Sequence, residues 1–129
     1  MVASKVPSST EHDAKILVYK MLSEVGLVVS ADKEMKKITI DERKRVFLGV
    51  EILVNPSFLF LDEPTSGLDA FSTTNYIKIL KRHVENNAVA FCTIKQPSPE
   101  VFALFDVVVF LKSGKTVYVH RAYIADLGK

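Results

Sequence analysis

Two adjacent acidic residues, Asp62 and Glu63, follow an apolar segment and have the types and placement needed for chemistry. The segment Phe58–Leu61 contains only large apolar residues, which favours a strand buried on both faces, as in a parallel sheet covered by helices. Pro64 and Gly67 are predicted to end the strand. Because ligands bind beyond the carboxyl ends of strands in open α/β sheets, the two acids are predicted to lie in a ligand crevice.

The two carboxylates suit two different steps of phosphate chemistry. Asp62 can help to hold a Mg²⁺ ion that bridges nucleotide phosphates, and Glu63 can accept a proton from an attacking water molecule. The alternative is that Asp-Glu-Pro is only a polar turn after a strand. The longer string FLFLDEPTSGLD, at 58–69, is more specific than the acidic pair and favours the chemical interpretation.

Length and composition indicate one domain or part of one. The chain has 129 residues, 48% of them hydrophobic, and a net charge of +2, which gives no argument for a nucleic-acid or membrane-surface partner. The single cysteine, Cys92, excludes an internal disulfide framework and a cysteine-rich metal site. The apolar segment 101–111 is shorter than the roughly 20 residues that cross a bilayer, so we predict no membrane span in this chain.

Helices and strands are predicted to alternate around the acids. Apolar residues at helical spacing predict a first helix that stops at Gly26, and Thr39 with Glu42 fits a capping box for a helix over about 40–54. The later predicted elements are a strand at 58–61, a helix at about 70–85, a strand at 88–94, a short helix near 99–104, and strands at 106–111 and 116–120. This order indicates a parallel sheet with crossover helices, and the turn at 113–115 indicates an antiparallel hairpin.

Several strings give the chain a resemblance to a known family over residues 38 to about 119. They are ERKRV with GVE at 42–51, FLFLDE at 58–63, SGLD at 66–69, CTIKQPS at 92–98 and GKTVY at 114–118. With these strings the chain resembles the carboxyl-terminal half of the nucleotide-binding domain of an ATP-binding cassette (ABC) transporter. The closest resemblance is to the G subfamily and its pleiotropic drug resistance members.

The resemblance implies an α/β fold of the P-loop NTPase type. Only part of the parallel sheet with crossover helices would be present, preceded by part of the helical subdomain and ending in a β-hairpin. Residues 1–10 would be a polar leader, and 11–57 would be a segment like the helical subdomain, with a degenerate signature helix. Residues 58–129 would be the carboxyl-terminal part of the nucleotide-binding core, with its Walker B strand, D-loop and switch segment.

The resemblance also implies roles for individual residues. Asp62 would support Mg²⁺, Glu63 would polarise the hydrolytic water, and Lys95 occupies the switch position at which the subfamily usually has His. Asp69 would help to couple two cassettes across their shared interface. The positions implied to contact nucleotide are Thr39, Ser66, Gly67, Asp69 and Gln96.

The cofactors implied by the family are ATP and Mg²⁺. The implied partners are a second ABC nucleotide-binding domain and a transmembrane domain, which would hold the chain at the cytoplasmic face of a membrane. No nucleic-acid partner is expected, because the basic residues between 33 and 45 have no interleaved aromatic residues for base stacking.

Three departures from the family pattern predict weak or abolished hydrolysis. No G-x-x-x-x-G-K-[ST] string occurs in the sequence. Thr39, Ile40 and Asp41 stand where the family commonly has Ser-Gly-Gly, and Lys95 replaces the switch His. Simpler interpretations stay open for both places: Thr39 can be only a helix cap, and Lys95 can be a solvated lysine at a strand end.

Two main functions follow from these observations. The first is a partial cassette of an ABC exporter, in which ATP hydrolysis is coupled to transport once a phosphate-loop half and a membrane domain complete it. The alternative is a non-catalytic, truncated or divergent cassette that acts as an interaction module or has no independent activity. A soluble cassette ATPase working on nucleic acid is disfavoured by the string at 92–98. The strand at 58–61 is also expected to lack neighbours, which predicts association with other chains.

Overall fold

The computed structural model of the protein describes residues 11–85 and 88–121. Its main elements are α1 (Glu11–Glu24), α2 (Ile40–Ile52), β1 (Phe58–Leu61), α3 (Ala70–Val84), β2 (Val89–Cys92), α4 (Pro99–Phe102), β3 (Val107–Lys112) and β4 (Lys115–Arg121). Two short 3₁₀ turns, Val28–Ser30 and Met35–Lys37, join α1 to α2. This order confirms the predicted α/β alternation, while the predicted leader at 1–10 lies outside the described residues.

The chain divides into two compact units, of which the first ends at Ile94 and the second begins at Lys95. The first unit contains α1 to β2, and the second contains α4 and the β3–β4 pair. The family-based division at 57/58 stays a prediction. Within the described ranges, no helix has the length and apolar character required to cross a membrane.

Arg45 on α2 connects this helix to the end of α1. Its Nη1 donates hydrogen bonds to the carbonyl oxygens of Val25 and Gly26, at 2.9 and 3.0 Å, and its Nη2 lies 2.7 Å from a carboxylate oxygen of Asp41. Gly26 has φ = +70°, a conformation that glycine adopts at little cost, and a Cβ there would lie 3.2 Å from Arg45 Nη1. The predicted stop of the first helix at Gly26 is therefore a turn that also receives the Arg45 side chain.

The predicted capping box begins α2 and is confirmed in full. Thr39 Oγ1 accepts the Glu42 backbone N–H at 3.1 Å, and Glu42 Oε2 accepts the Thr39 N–H at 2.8 Å. The other carboxylate oxygen of Glu42 accepts a hydrogen bond from the hydroxyl of Ser30. The Ser30 hydroxyl and then the Thr39 amide lower the pKa of Glu42 to about 2.

Strands β1 and β2 pair in parallel, and α3 lies between them in the chain as the predicted crossover helix. One face of the pair carries Leu59, which is buried, and Cys92, which packs close to Tyr76 of α3. Burial, followed by the nearby Cys92, raises the pKa of Tyr76 to about 12, and burial also raises the pKa of the Cys92 thiol. Helix α3 therefore covers this face with its buried residues Tyr76, Ile77, Ile79 and Leu80.

The opposite face of the pair corrects the prediction that Phe58–Leu61 is buried on both sides. Phe58 and Phe60 of β1 are 63% and 76% exposed, and Val89 and Phe91 of β2 are 46% and 52% exposed. The Phe60 and Phe91 rings stack with their centroids 5.1 Å apart. The prediction was wrong on this face because an apolar run identifies residues that favour burial without supplying the layer that buries them.

The second unit contains the predicted β-hairpin. Strands β3 and β4 pair antiparallel, with a register shift between Phe110 and Leu111. Ser113 and Gly114 form the turn with φ = +51° and +73°. Among the described residues, parallel pairing is confined to β1 and β2.

The Glu42 contacts predict a pH-dependent stability. A carboxyl group whose pKa falls on folding stabilises the folded state while it is ionised, so this stabilisation is fully present above the ordinary glutamate pKa of 4.5. It should be lost as the pH falls from 4.5 through about 2. The free energy of unfolding should be measured in urea at a series of pH values. Near neutral pH it should be larger for wild type than for Glu42→Gln, and this difference should shrink as the pH falls.

The control for this prediction is Ser30→Ala, which removes the largest cause of the pKa shift. The pH-dependent difference should be smaller in that background. A wild-type advantage over Glu42→Gln that is the same at every pH would contradict the prediction.

Candidate functional site

The carboxyl ends of β1 and β2 lie side by side. Leu61 is the register partner of Cys92, and the next residue on β2, Thr93, donates its backbone N–H to the Leu61 carbonyl at 3.0 Å. Asp62, the first residue after β1, therefore lies beside Thr93, the first residue after β2. Parallel pairing in this register brings the acidic pair next to a hydroxyl from a distant part of the sequence.

The Thr93 side chain connects both acids. Its Oγ1 accepts the Glu63 backbone N–H at 2.8 Å and donates to Asp62 Oδ1 at 2.6 Å. Sequence reasoning placed Thr93 in the switch-like string and did not identify it as a site residue. The signal that could have found it is its position directly after β2, since first residues after neighbouring parallel strands meet at one sheet edge.

Glu63 has a left-handed backbone conformation, with φ = +44°. A non-glycine residue in this region carries strain that surrounding contacts must balance. Contacts exist on both sides: the Glu63 N–H bonds to Thr93, and Lys44 Nζ of α2 donates to the carbonyl oxygen of the next residue, Pro64, at 2.7 Å. The acidic loop is thus held by β2 on one side and by α2 on the other.

The SGLD string forms the turn that leads into α3. Ser66 donates its N–H to the Glu63 carbonyl, Leu68 donates to the Thr65 carbonyl, and each distance is 3.1 Å. Gly67 has φ = +80°, which suits glycine. Asp69 caps α3, since its Oδ1 accepts the Ser72 N–H at 2.7 Å. The structure therefore gives Asp69 a local structural role.

The signature-like residues lie at the start of α2. The Thr39 hydroxyl belongs to the capping box, so the helix-cap interpretation left open by the sequence is observed. Ile40 is exposed at the first helical position, and one carboxylate oxygen of Asp41 is paired with Arg45. Nucleotide contact by Thr39 stays a prediction.

The two candidate residues from the switch-like string begin the second compact unit. Lys95 and Gln96 are both exposed, and Gln96 has φ = +47°. Ser98, which follows them, caps α4 by accepting the Val101 N–H at 3.4 Å. The predicted crevice shared by Glu63 and Lys95 stays a prediction, because these residues belong to different units.

Asp62 has the chemistry required of a Mg²⁺ ligand. It is exposed, and Mg²⁺ in phosphate sites uses one or two carboxylates and takes its other ligands from water and phosphate oxygens. Within 11–85 and 88–121, no group of three His, Cys, Asp or Glu side chains could hold a metal by itself. Asp62 therefore fits a magnesium ion that arrives with a nucleotide, while the phosphate-cradle string is absent from this sequence.

Comparison with known proteins finds ABC transporters among the relatives of this chain. The chain is 37% identical to ABC transporter G family member 13 of Arabidopsis thaliana over 124 residues, which are 92% of this chain and 18% of that protein. It is 50% identical to ABC transporter G family member 14 of Dictyostelium discoideum over 63% of this chain and 6% of that protein. It is also 45% identical to ABC multidrug transporter G of Aspergillus fumigatus over 71% of this chain and 6% of that protein.

The chain thus spans less than a fifth of the length of these relatives. No protein-family profile matches it. Among solved structures, MJ1267, an ATP-binding cassette of an ABC transporter, matches with a TM-score of 0.75 and 18% identity over 90% of this chain and 45% of that chain. The ADP conformation of MJ1267 matches with a TM-score of 0.71 and 20% identity, over 90% of this chain and 44% of that chain. The chain is therefore a homologue of ABC transporter G family members, and its α/β fold is that of part of an ABC ATPase cassette.

Proposed function

We propose that the chain is the carboxyl-terminal part of the ATP-binding cassette of an exporter of the pleiotropic drug resistance type. An amino-terminal half with the phosphate loop, a second cassette and a transmembrane domain complete the working unit at the cytoplasmic face of a membrane. The completed unit binds ATP with Mg²⁺ and couples hydrolysis to transport. Homology to G family transporters supports the assignment.

The observation that carries the proposal is the pair of hydrogen bonds made by Thr93 to Asp62 and Glu63. The Thr93 hydroxyl fixes the Asp62 carboxylate and the Glu63 backbone relative to each other, and such preorganisation is what a reaction centre requires. In the proposal, Asp62 contributes a carboxylate oxygen to Mg²⁺ and Glu63 accepts a proton from the attacking water.

The remaining candidate residues have secondary roles in this proposal. Ser66, Gly67 and Asp69 form the Walker B–to–α3 turn and contact the nucleotide or the second cassette. Gln96 and Thr39 approach the phosphates from other segments. In the structure, Thr39 and Asp69 also cap helices α2 and α3.

A non-catalytic cassette is the second candidate, and two features favour it. At the signature position, Ile40 has a side chain where the family has glycine, and the Asp41 carboxylate is bound to Arg45. Lys95 provides donors only, whereas a neutral His both donates and accepts. Titration of the purified chain with ATP and Mg²⁺ separates the candidates. Binding of nucleotide supports a cassette that has kept its nucleotide site. If neither the folded chain nor a completed cassette binds nucleotide, the interaction module is supported.

Substitution of Glu63 tests the proposed base. We expect Glu63→Gln, in a cassette completed with the amino-terminal half of the Arabidopsis relative, to lower ATP hydrolysis by about 10²- to 10⁴-fold, because the amide cannot accept the proton. Nucleotide binding should persist. The matched control is Glu51→Gln, the same change at an exposed position of α2. Equal rates of ATP hydrolysis for wild type and Glu63→Gln would show that Glu63 is not the base.

Substitution of Thr93 tests the shared hydroxyl. Thr93→Val keeps the shape of the side chain and removes both hydrogen bonds, each worth about 0.5–1.5 kcal/mol. In the completed cassette we expect the Mg²⁺ concentration for half-maximal hydrolysis to rise about 2- to 10-fold. Thr93→Ser retains the hydroxyl and should behave like wild type. A Val variant with an unchanged Mg²⁺ requirement would show that Thr93 does not position Asp62.

Substitution of Lys95 tests the switch position. Lysine provides hydrogen-bond donors only, whereas a neutral His can also accept, so Lys95→His should raise turnover in the completed cassette. The same exchange at Lys78, an exposed residue on α3, is the control and should leave turnover as it was. Unchanged turnover in Lys95→His would count against a switch role for this residue.

A further inference from the structure

Lys44 of α2 makes a long-range contact with the acidic loop, residues 62–66. Its Nζ donates a hydrogen bond to the carbonyl oxygen of Pro64 at 2.7 Å, across 20 positions of the sequence. Leu48 and Ile52 follow Lys44 at helical spacing and are both buried, so Lys44 lies on the packed side of α2. A hydrogen bond from an ammonium group is charge-assisted and stronger than one between neutral groups. The contact therefore joins a packed helix to the acidic loop.

The backbone of Glu63 needs such support for two reasons. Its φ of +44° lies in the left-handed region, which non-glycine residues seldom adopt. Glu63 also precedes Pro64, and the residue before a proline favours an extended backbone. If these local preferences alone decided its conformation, Glu63 would become extended and its side chain would point in another direction. Contacts from outside the loop must therefore hold it.

Thr93 holds one side of the Glu63 α-carbon, because it accepts the Glu63 N–H. On the other side, the Glu63 carbonyl accepts the Ser66 N–H at 3.1 Å, which is a bond within the loop. Lys44 adds a contact from outside the loop on this second side. Since the proline ring fixes φ of Pro64, a restraint on the Pro64 carbonyl also restrains the peptide bond that follows Glu63. Contacts before and after Glu63 thus determine where its side chain lies.

We infer that Lys44 is a positioning residue, which holds the Glu63 carboxylate in place through the backbone of Pro64. This inference rests on the proposed function and adds to it a residue that acts on the proposed base from another helix. A displacement of about 1 Å in a reacting group can lower a rate by about 10²-fold. Loss of the Lys44 bond should therefore lower turnover and leave the affinity for ATP unchanged.

The first measurement uses the whole chain without nucleotide, so its result does not depend on hydrolysis. Amide hydrogen exchange is followed by NMR at the N–H groups of Glu63 and Ser66, both of which are bonded in the structure. Lys44→Met keeps an unbranched side chain and removes the ammonium group. We expect it to make exchange at these two amides about 3- to 10-fold faster.

The second measurement is steady-state ATP hydrolysis by the completed cassette. Lys44→Met should lower kcat by about tenfold or more and change the KM for ATP by less than about twofold. Lys44→Arg keeps a charged donor and should recover most of the wild-type kcat. Lys44→Gln ends one bond short of the lysine ammonium, and it is the second variant if circular dichroism shows that Lys44→Met does not fold. It should lower kcat in the same way.

The matched control is Lys78→Met, the same change at an exposed position of α3. It should leave kcat, KM and the exchange of both amides as in wild type. The comparison separates the loss of the Lys44 contact from the general effect of removing one positive charge and one long side chain.

Three outcomes would overturn the inference. Unchanged amide exchange in Lys44→Met would show that Lys44 does not hold the loop. Equal losses of kcat in Lys44→Met and Lys78→Met would show a nonspecific effect, and a raised KM with unchanged kcat would make Lys44 a binding residue. Failure of the proposed function is distinct, because the wild-type completed cassette would then hydrolyse no ATP. The exchange comparison would still decide whether Lys44 holds Glu63.

Discussion

The parallel pairing of β1 with β2 is the constraint on which the site depends. Its register aligns Leu61 with Cys92, so that the next residues of each strand, Asp62 and Thr93, meet at one edge. The Thr93 hydroxyl then binds both the Glu63 amide and the Asp62 carboxylate. A shift of one residue would turn Thr93 to the other side of the sheet. The arrangement of the acidic pair therefore depends on a backbone pairing between segments that are distant in sequence.

Helix α2 contributes to the same arrangement through two basic side chains on adjacent positions. Lys44 binds the Pro64 carbonyl next to the strained Glu63 backbone, and Arg45 binds the end of α1 together with Asp41. Helix α2 thus stands between α1 and the acidic loop, with polar contacts to each.

The two faces of the β1–β2 pair show how burial depends on more than composition. Both faces are apolar, yet Leu59 is buried and Phe60 is exposed, because α3 supplies a layer on one side only. The chain therefore presents an apolar surface to solvent, although its fold is that of part of a cassette. Hydrophobic stabilisation is gained only when a second layer removes the apolar area from water.

Local signals were sufficient for much of this protein. The capping box of Thr39 and Glu42, the stop at Gly26 and the hairpin turn at Ser113 and Gly114 rest on interactions between residues close in sequence, and all were predicted. The FLFLDE and SGLD strings also indicated the family. The tertiary structure decided what depends on distant segments: the Thr93 bridge, the Lys44 contact with Pro64, and the exposure of Phe60. The physical reason is that side-chain types and spacing determine local backbone conformation, whereas register and layer packing depend on which distant segments meet.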